Sequence, residues 1–339
     1  MQRIPSIETL AEVLEKTSCR YDRKDTPLRP EGHGVMAGRA RRVDVSVVTV
    51  CYNPLEAGRG EVFRKNLDSV QAQEDVCLEH LIIDGASTDG TVEWLREYDN
   101  VRHDIRILSQ PDGGIYEAMN RGIALARGKY VIFLNTDDFF HDPHGMKCSL
   151  ARLEESGCEF SFAPVRFSDS SIRHNPQLAP QRRLHRFLIS WCFSHQSMLT
   201  SRSLLLRLDG FDTSFRLAAD YDLLLRMIEA GAKGCFVHLT FTTFSTGGFS
   251  EENYDTSVSE CVTSLQSFFL KMYSIEMSRE EAAYIFGHRV FPSKYLSLYK
   301  SIQKLVRERF VGIPKGPARW VSWKFNYIKY YLKCLNSNI

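Results

Sequence analysis

The chain has 339 residues, 43% hydrophobic and 12% aromatic, which is material for a sizeable core; 25% charged residues exclude wholesale disorder. Forty-three Lys and Arg against 41 Asp and Glu leave a net charge of +2, too balanced for a dedicated nucleic-acid binder. Nine cysteines, an odd number without a CxxC pair, argue against a zinc ribbon or a disulfide scaffold and for a reducing compartment.

The N-terminus lacks the apolar run of a signal peptide, and no stretch approaches the roughly 18 apolar residues that span a bilayer, so a cytoplasmic chain is expected. Residues 7–16 have helical spacing, and the Arg-, Gly- and Pro-rich stretch from 20 to 42 reads as a flexible arm. Val43 to Val50 is a β-branched run suited to a strand buried on both faces. Leu81–Ile83, Ile105–Leu108 and Tyr130–Leu134 look like further strands, with helical patterns at 61–73, 90–98 and 115–127 between them. Strand alternating with helix predicts βαβ units and a mostly parallel sheet flanked by helices. Residues 158–245 mix strand-like pieces (Phe160–Ala163, Cys235–Leu239) with a strong helix at 220–230. From about 258 the pattern is helical, broken at Pro292, Pro314 and Pro317.

In an open parallel sheet, ligands bind beyond the carboxyl ends of the strands. Those ends release Tyr52-Asn53, then Asp84, then Gln110 to Gly114 with Asp112, then Asn135 to Asp138. One acidic turn alone is usually a helix cap. Three strand ends with carboxylates on one edge are harder to assign to capping. There is no GxxxxGK[ST], and no GxGxxG follows the first strand, so a phosphate partner would need a divalent cation on carboxylates, magnesium or manganese at Asp137-Asp138.

Several motifs then follow in order: Val45 to Asn53, Asp84 to Thr91 (DGASTDGT), Pro111 to Ile123 (PDGGIYEAMNRGI), Ala126 to Asp138, His195-Gln196, Gly210-Phe211-Asp212 and Ala219 to Arg226 (ADYDLLLR). The series resembles bacterial family 2 glycosyltransferases of the GT-A fold, a Rossmann-like α/β architecture whose members build surface polysaccharides from nucleotide-diphosphate sugars with inversion. The resemblance covers roughly residues 44–250, about 60% of the chain, and implies a GT-A domain over 43–255; the N-terminal helix and arm over 1–42 and the helical region over 256–339 with its basic tail are read from the residues themselves. It implies that Tyr52, Asn53 and Asp84 line the donor nucleotide pocket, and that Asp112, Gly113 and Asn120 lie beside ribose and diphosphate. For Asn120 a helix amide bonded to a neighbouring loop is the competing reading. Asp89, with Thr88, reads as a helix cap.

Asn135-Thr136-Asp137 stands where the family has Asp-x-Asp, with Asn in place of the first acid. The resemblance sets Asn135 and Thr136 beside the donor, makes Asp137 the primary metal ligand, and makes Asp138 a second ligand or a support. Ala219-Asp220 stands for the family's Glu-Asp, which makes Asp220 the catalytic base; Asp222 reads as a helix cap. His195 and Gln196 resemble the acceptor side of the site, the alternative for His195 being a satisfied buried imidazole. Trp191 would stack on a sugar or pack in the core, and Gly247 to Ser250 resembles a loop over the donor phosphates.

Uridine is the base inherited from the resemblance, with a glycan or lipid-linked glycan as acceptor. Between residues 300 and 339, nine Lys and Arg face a single acid, Glu308. Trp320, Trp323, Tyr327, Tyr331 and Leu335 share one helical face with Lys324, Lys329 and Lys333 nearby, which suits an anionic membrane surface; packing on the domain, or on a second copy in a homodimer, is the other reading. Peripheral attachment to the inner face of the cell membrane is the corresponding expectation. Two other functions compete. A nucleotide-sugar-binding protein without catalysis is motivated by the two replaced acids. A sugar-nucleotidyltransferase would need a glycine-rich basic loop where Cys51 to Pro54 stands.

Overall fold

The computed structural model describes residues 43–102, 105–169, 186–189, 194–246 and 252–312. The N-terminal arm, Trp191, the 247–250 loop and the aromatic tail at 317–339 lie outside the described residues.

The four apolar runs fold as strands β1 (Val45–Cys51), β2 (Leu78–Asp84), β3 (Ile105–Ser109) and β4 (Tyr130–Phe133), which pair in parallel in the order β3-β2-β1-β4. Helix α1 (Gly60–Gln71) follows β1, α2 (Thr91–Arg102) follows β2 and α3 (Ile115–Leu125) follows β3. Successive side chains of a strand point to opposite faces. Val48 and Val50 accordingly join Leu81, Ile83, Val131 and Phe133 in one hydrophobic cluster, and Val45 and Val47 join Ile132 and Leu134 in another. Burial of each such side chain contributes roughly 1.5–3 kcal/mol, so apolar residues on both faces of these strands specify a two-faced sheet. Helix α3 reaches β1 at van der Waals distance because residue 122 is glycine: a Cβ there would stand 2.4 Å from Val48 Cγ1.

The sheet continues past β4 through segments with weaker sequence signals. Helix α4 (Gly145–Ser156) leads to β6 (Phe160–Phe162), and β8 (Met198–Ser201) runs antiparallel between β4 and β6. Helices α5 (Arg186–Ile189) and α6 (Arg202–Arg207) flank β8 in sequence. Helix α7 (Ala219–Glu229) precedes β9 (Gly234–Phe236), which pairs in parallel with β6. A small second sheet joins β5 (Phe139–Phe140), β7 (Val165–Phe167) and β10 (Thr242–Phe244), in the order β5-β10-β7.

The last described segment is helical, as expected, with one departure. Helices α8 (Tyr254–Tyr273), α9 (Arg279–His288) and α10 (Leu296–Arg309) are followed by a two-residue strand, β11 (Phe310–Val311), paired in parallel with β9 at the edge of the eight-stranded sheet. Two residues are too few to register as a period in sequence. Phe268, Phe269, Ile285, Ile302 and Phe310 belong to the same buried cluster as Val48 and Leu223, so these helices share the sheet's core.

Candidate active site

Parallel pairing sets Cys51 beside Asp84 and Asp84 beside Ser109, so the carboxyl ends of β1, β2 and β3 form one edge. Leu134, just past β4, donates to Val48 O and brings Asn135 to Asp138 to the same edge.

Asp84 is fully buried there. It accepts from Ser87 N (2.9 Å), Ser87 Oγ (2.5 Å) and Ser109 Oγ (2.6 Å), with Cys51 Sγ at 3.5 Å. Burial and then the Asp84 charge push the Cys51 thiol well up, which keeps it protonated. Asn53, at φ 45°, accepts from Thr88 N (2.8 Å) through its side chain, and its own N–H donates to Ser87 Oγ (2.8 Å). Asp89 ties the same two loops: it accepts from Leu55 N (2.8 Å), Glu56 N (2.9 Å) and Thr91 at the start of α2. Asp84, Asn53 and Asp89 thus knit the pocket wall through hydrogen bonds within the protein.

Two groups nearby remain open to a ligand. Tyr52 is 68% exposed. Asp112 accepts from Gly114 N with Oδ1 (3.0 Å) and directs Oδ2 over Gly85, where a Cβ would lie 2.9 Å from that oxygen and 3.4 Å from Tyr52 Cδ2. Glycine at 85 therefore lets the Tyr52 ring and the Asp112 carboxylate converge over the end of β2. Burial raises the Asp112 pKa, opposed by the Gly114 N–H and Arg121 and reinforced by Glu117 and Asp84. Gly113 N donates to Glu117 Oε2 (2.8 Å). Asn120 is buried in α3 and exchanges two 2.8 Å hydrogen bonds with the backbone of Phe211. Its amide latches α3 to the Gly210-Phe211 loop, and it shapes the pocket from behind.

The Asn135 to Asp138 turn is held from below by Asn66, whose Nδ2 donates to the carbonyls of Asn135 (2.7 Å) and Asp138 (2.9 Å). Thr136 is buried, and Asn135 Oδ1 is buried without a hydrogen-bond partner, an acceptor awaiting a donor. The two acids diverge. Asp137 is 24% exposed, with Arg59 Nη1 at 3.7 Å from Oδ2. Asp138 is 1% exposed and accepts from Ser245 N (2.8 Å), while Ser245 Oγ donates to Asp137 O (2.5 Å). Burial, then the Asp137 charge, push Asp138 up to about 7; the Ser245 N–H, His195 and Gln196 pull the other way. Among the described residues no group of three or more His, Cys, Asp or Glu could enclose a cation. The partly exposed Asp137 carboxylate could hold a hard divalent ion that takes its remaining oxygens from diphosphate and water.

His195 and Gln196 open a short 3-10 turn (His195–Ser197) leading into β8. Gln196 is buried, accepts a hydrogen bond from Ser194 Oγ on its side chain, and its carbonyl accepts from Thr242 Oγ1 (2.9 Å). His195 Nδ1 lies 3.3 Å from Asp220 Oδ2, and its buried Nε2 has no partner. Asp220, in the first turn of α7, keeps its side chain 34% exposed. Asp222, one turn's neighbour, accepts from Arg226 Nε (2.6 Å), and Arg226 also donates to Leu208 O and Gly210 O. An internal i,i+4 ion pair, and not a cap, accounts for Asp222. Arg59, Ser245 and Tyr116 were not singled out by sequence. Tyr116 is buried, and burial, then the Asp220 charge, raise its pKa well above the ordinary value.

Comparison with known proteins agrees with this architecture. Residues 46–213 match the glycosyl transferase family 2 profile. The chain is 25% identical over 247 residues to a hyaluronan synthase of Pasteurella multocida, an alignment covering 70% of this chain and a quarter of that enzyme's length. Among solved structures, residues 1–349 of S. aureus TarS in complex with UDP-GlcNAc superpose with a TM-score of 0.56 at 14% identity, over 85% of this chain and 81% of that one. The mannosyltransferase PcManGT from Pyrobaculum calidifontis, in complex with GDP-Man and Mn2+, gives 0.53 at 16% identity over 88% and 89%. The fold is the GT-A architecture that the motif series implies.

Proposed function

The chain belongs to glycosyltransferase family 2 through residues 46–213, and from that premise we propose that it moves a sugar from a nucleotide-diphosphate donor, a UDP-sugar first among them, to a hydroxyl of a glycan or lipid-linked glycan with inversion. One observation carries the reading: at an edge where Asp84, Asp89, Asp138 and Asp222 are engaged by the protein, Asp137 and Asp220 remain partly exposed. The UDP-GlcNAc bound to TarS and the GDP-Man and Mn2+ bound to PcManGT support a nucleotide sugar and a metal here.

Tyr52 and Asp112 form the face that meets the nucleotide, and Asn135 Oδ1 accepts from a ribose hydroxyl. Asp137 would hold Mn2+ or Mg2+, an ion that offsets the charge gathering on a departing diphosphate. Asp220 takes the proton of the acceptor hydroxyl. As that proton leaves, the acceptor oxygen bonds to the anomeric carbon and the bond from that carbon to the diphosphate oxygen breaks. His195 orients the Asp220 carboxylate. The tail at 317–339 attaches to an anionic membrane surface in this reading, on the strength of its aromatic and basic spacing; among the described residues no helix is long and apolar enough to cross a membrane.

The test is single-turnover transfer beside donor affinity. Asp220→Asn should lower transfer by roughly 10²- to 10⁴-fold and leave UDP affinity unchanged. Asp137→Ala should abolish the dependence of donor affinity on manganese. Wild-type transfer by Asp220→Asn removes it as the base, and unaltered manganese dependence in Asp137→Ala removes the metal assignment.

A further inference from the structure

Helix α7, which carries Asp220, starts without a capping side chain of its own: the N-cap is Ala218. The first turn of a helix leaves backbone N–H groups that need acceptors, and a nearby Asp is the usual supplier. The segment that leads into this helix is held by a side chain from elsewhere. Glu260, in α8, accepts from Arg216 N (2.9 Å) through Oε1 and from Leu217 N (2.8 Å) and Ala218 N (2.9 Å) through Oε2. Three successive N–H groups at the entry to α7 are thereby met by one side chain from another helix, and Asp220 accepts from its neighbour Tyr221 N through Oδ1 (2.8 Å). Its Oδ2 is left to face His195 and the site.

We propose that Glu260 is a positioning residue for Asp220: it fixes the turn from Arg216 to Ala218 and so sets where the carboxylate stands relative to the acceptor hydroxyl. This rests on the reading of Asp220 as the base. Glu260 lies beyond the 46–213 family match, so the chain's own C-terminal helices complete the site. A carboxylate satisfies three N–H groups with two oxygens; an amide of the same size offers one oxygen and turns an NH2 group toward the others. The turn then relaxes, and a displacement of the order of 1 Å at a reacting group costs up to about 10²-fold in rate.

The experiment uses the full chain with saturating acceptor and UDP-sugar, in wild type, Glu260→Gln, Asp220→Asn and the double variant. Glu260→Gln is expected to lower kcat by about 10- to 100-fold with donor KM within about twofold of wild type, and to change transfer less than about twofold when added to Asp220→Asn. That last comparison separates positioning from general loosening, which would lower both backgrounds alike. Should Glu260→Gln lack a melting transition, Glu260→Asp, which keeps the charge and withdraws it by one methylene, carries the same comparison. Unchanged kcat in a folded Glu260 variant, or an equal further loss on top of Asp220→Asn, overturns the assignment. Wild-type turnover by Asp220→Asn instead removes the base reading itself, and this assignment with it.

Discussion

The proposed nucleotide side of the molecule, from β1 to β4, and the proposed acceptor side, from His195 to Glu260, hold Asp84 and Asp220 in different ways. On the nucleotide side, Asp84, Asp89 and Asp138 are drawn into the backbone of the strand ends, each bonded to groups that would otherwise lack partners. On the acceptor side Glu260 meets from a distance the N–H groups that lead into α7, and Asp220 stays in reach of solvent. The role of an acid in such a site depends on how many local donors it serves. Those that serve several define the shape, and Asp137 and Asp220, which serve few, are left partly exposed.

Three substitutions on the nucleotide side sharpen that contrast. The largest effect is expected at Asp84. Asp84→Ala leaves Ser87 and Ser109 hydroxyls and an N–H without their acceptor, at a cost of about 3 kcal/mol in urea unfolding. The contrast breaks if Asp84→Ala unfolds like wild type and loses only donor affinity. Next, Gly122→Ala drives a methyl into Val48 and should cost about 1–3 kcal/mol by the same measurement. An unchanged midpoint would mean that α3 shifts freely, and that Asn120 does not fix it against Phe211.

At neutral pH the smallest effect is a slope that opens only below about pH 6.5. His80 is fully buried, accompanied by Thr49 Oγ1 at 2.9 Å, and burial lowers its pKa to about 3. The unfolded chain therefore binds a proton below about pH 6.5 that the folded chain refuses until near pH 3, so the stability of the neutral imidazole is complete above 6.5 and lost as pH falls. The expected contribution is about 1.4 kcal/mol per pH unit in that window. His80→Asn should flatten that part of the stability profile, and an unaltered slope would place the acid sensitivity elsewhere.

The parallel core was legible because its signal is local. Val43 to Val50 is a β-branched run and Tyr130 to Leu134 an unbroken apolar one, and the structure places strands at Val45–Cys51 and Tyr130–Phe133. The helix read over 220–230 is Ala219–Glu229. Antiparallel β8 and the three short strands of the second sheet escaped, since two to four residues that include Thr242 and Thr243 carry no period. Within the site, Asp84 and Ser87 are close enough in sequence to suggest a turn, but Ser109 is supplied by strand pairing. The Asp222 and Arg226 pair was visible as an i,i+4 spacing and was outweighed by the expectation of a cap. Glu260 gave no signal at all: its partners are backbone N–H groups more than forty residues away, and any sequence at 216–218 provides them.

The pairing of β11 with β9 also bears on how the chain reaches this state. The outer edge of β9 is covered by residues made roughly seventy-five positions later, which at about 5–20 residues per second leaves an open strand edge on the nascent chain for several seconds. An uncovered edge is a template for pairing with another chain. A ribosome-stalled or truncated product ending before Phe310 would present that edge permanently, so shortened forms should associate through β9 even where the nucleotide half is already folded.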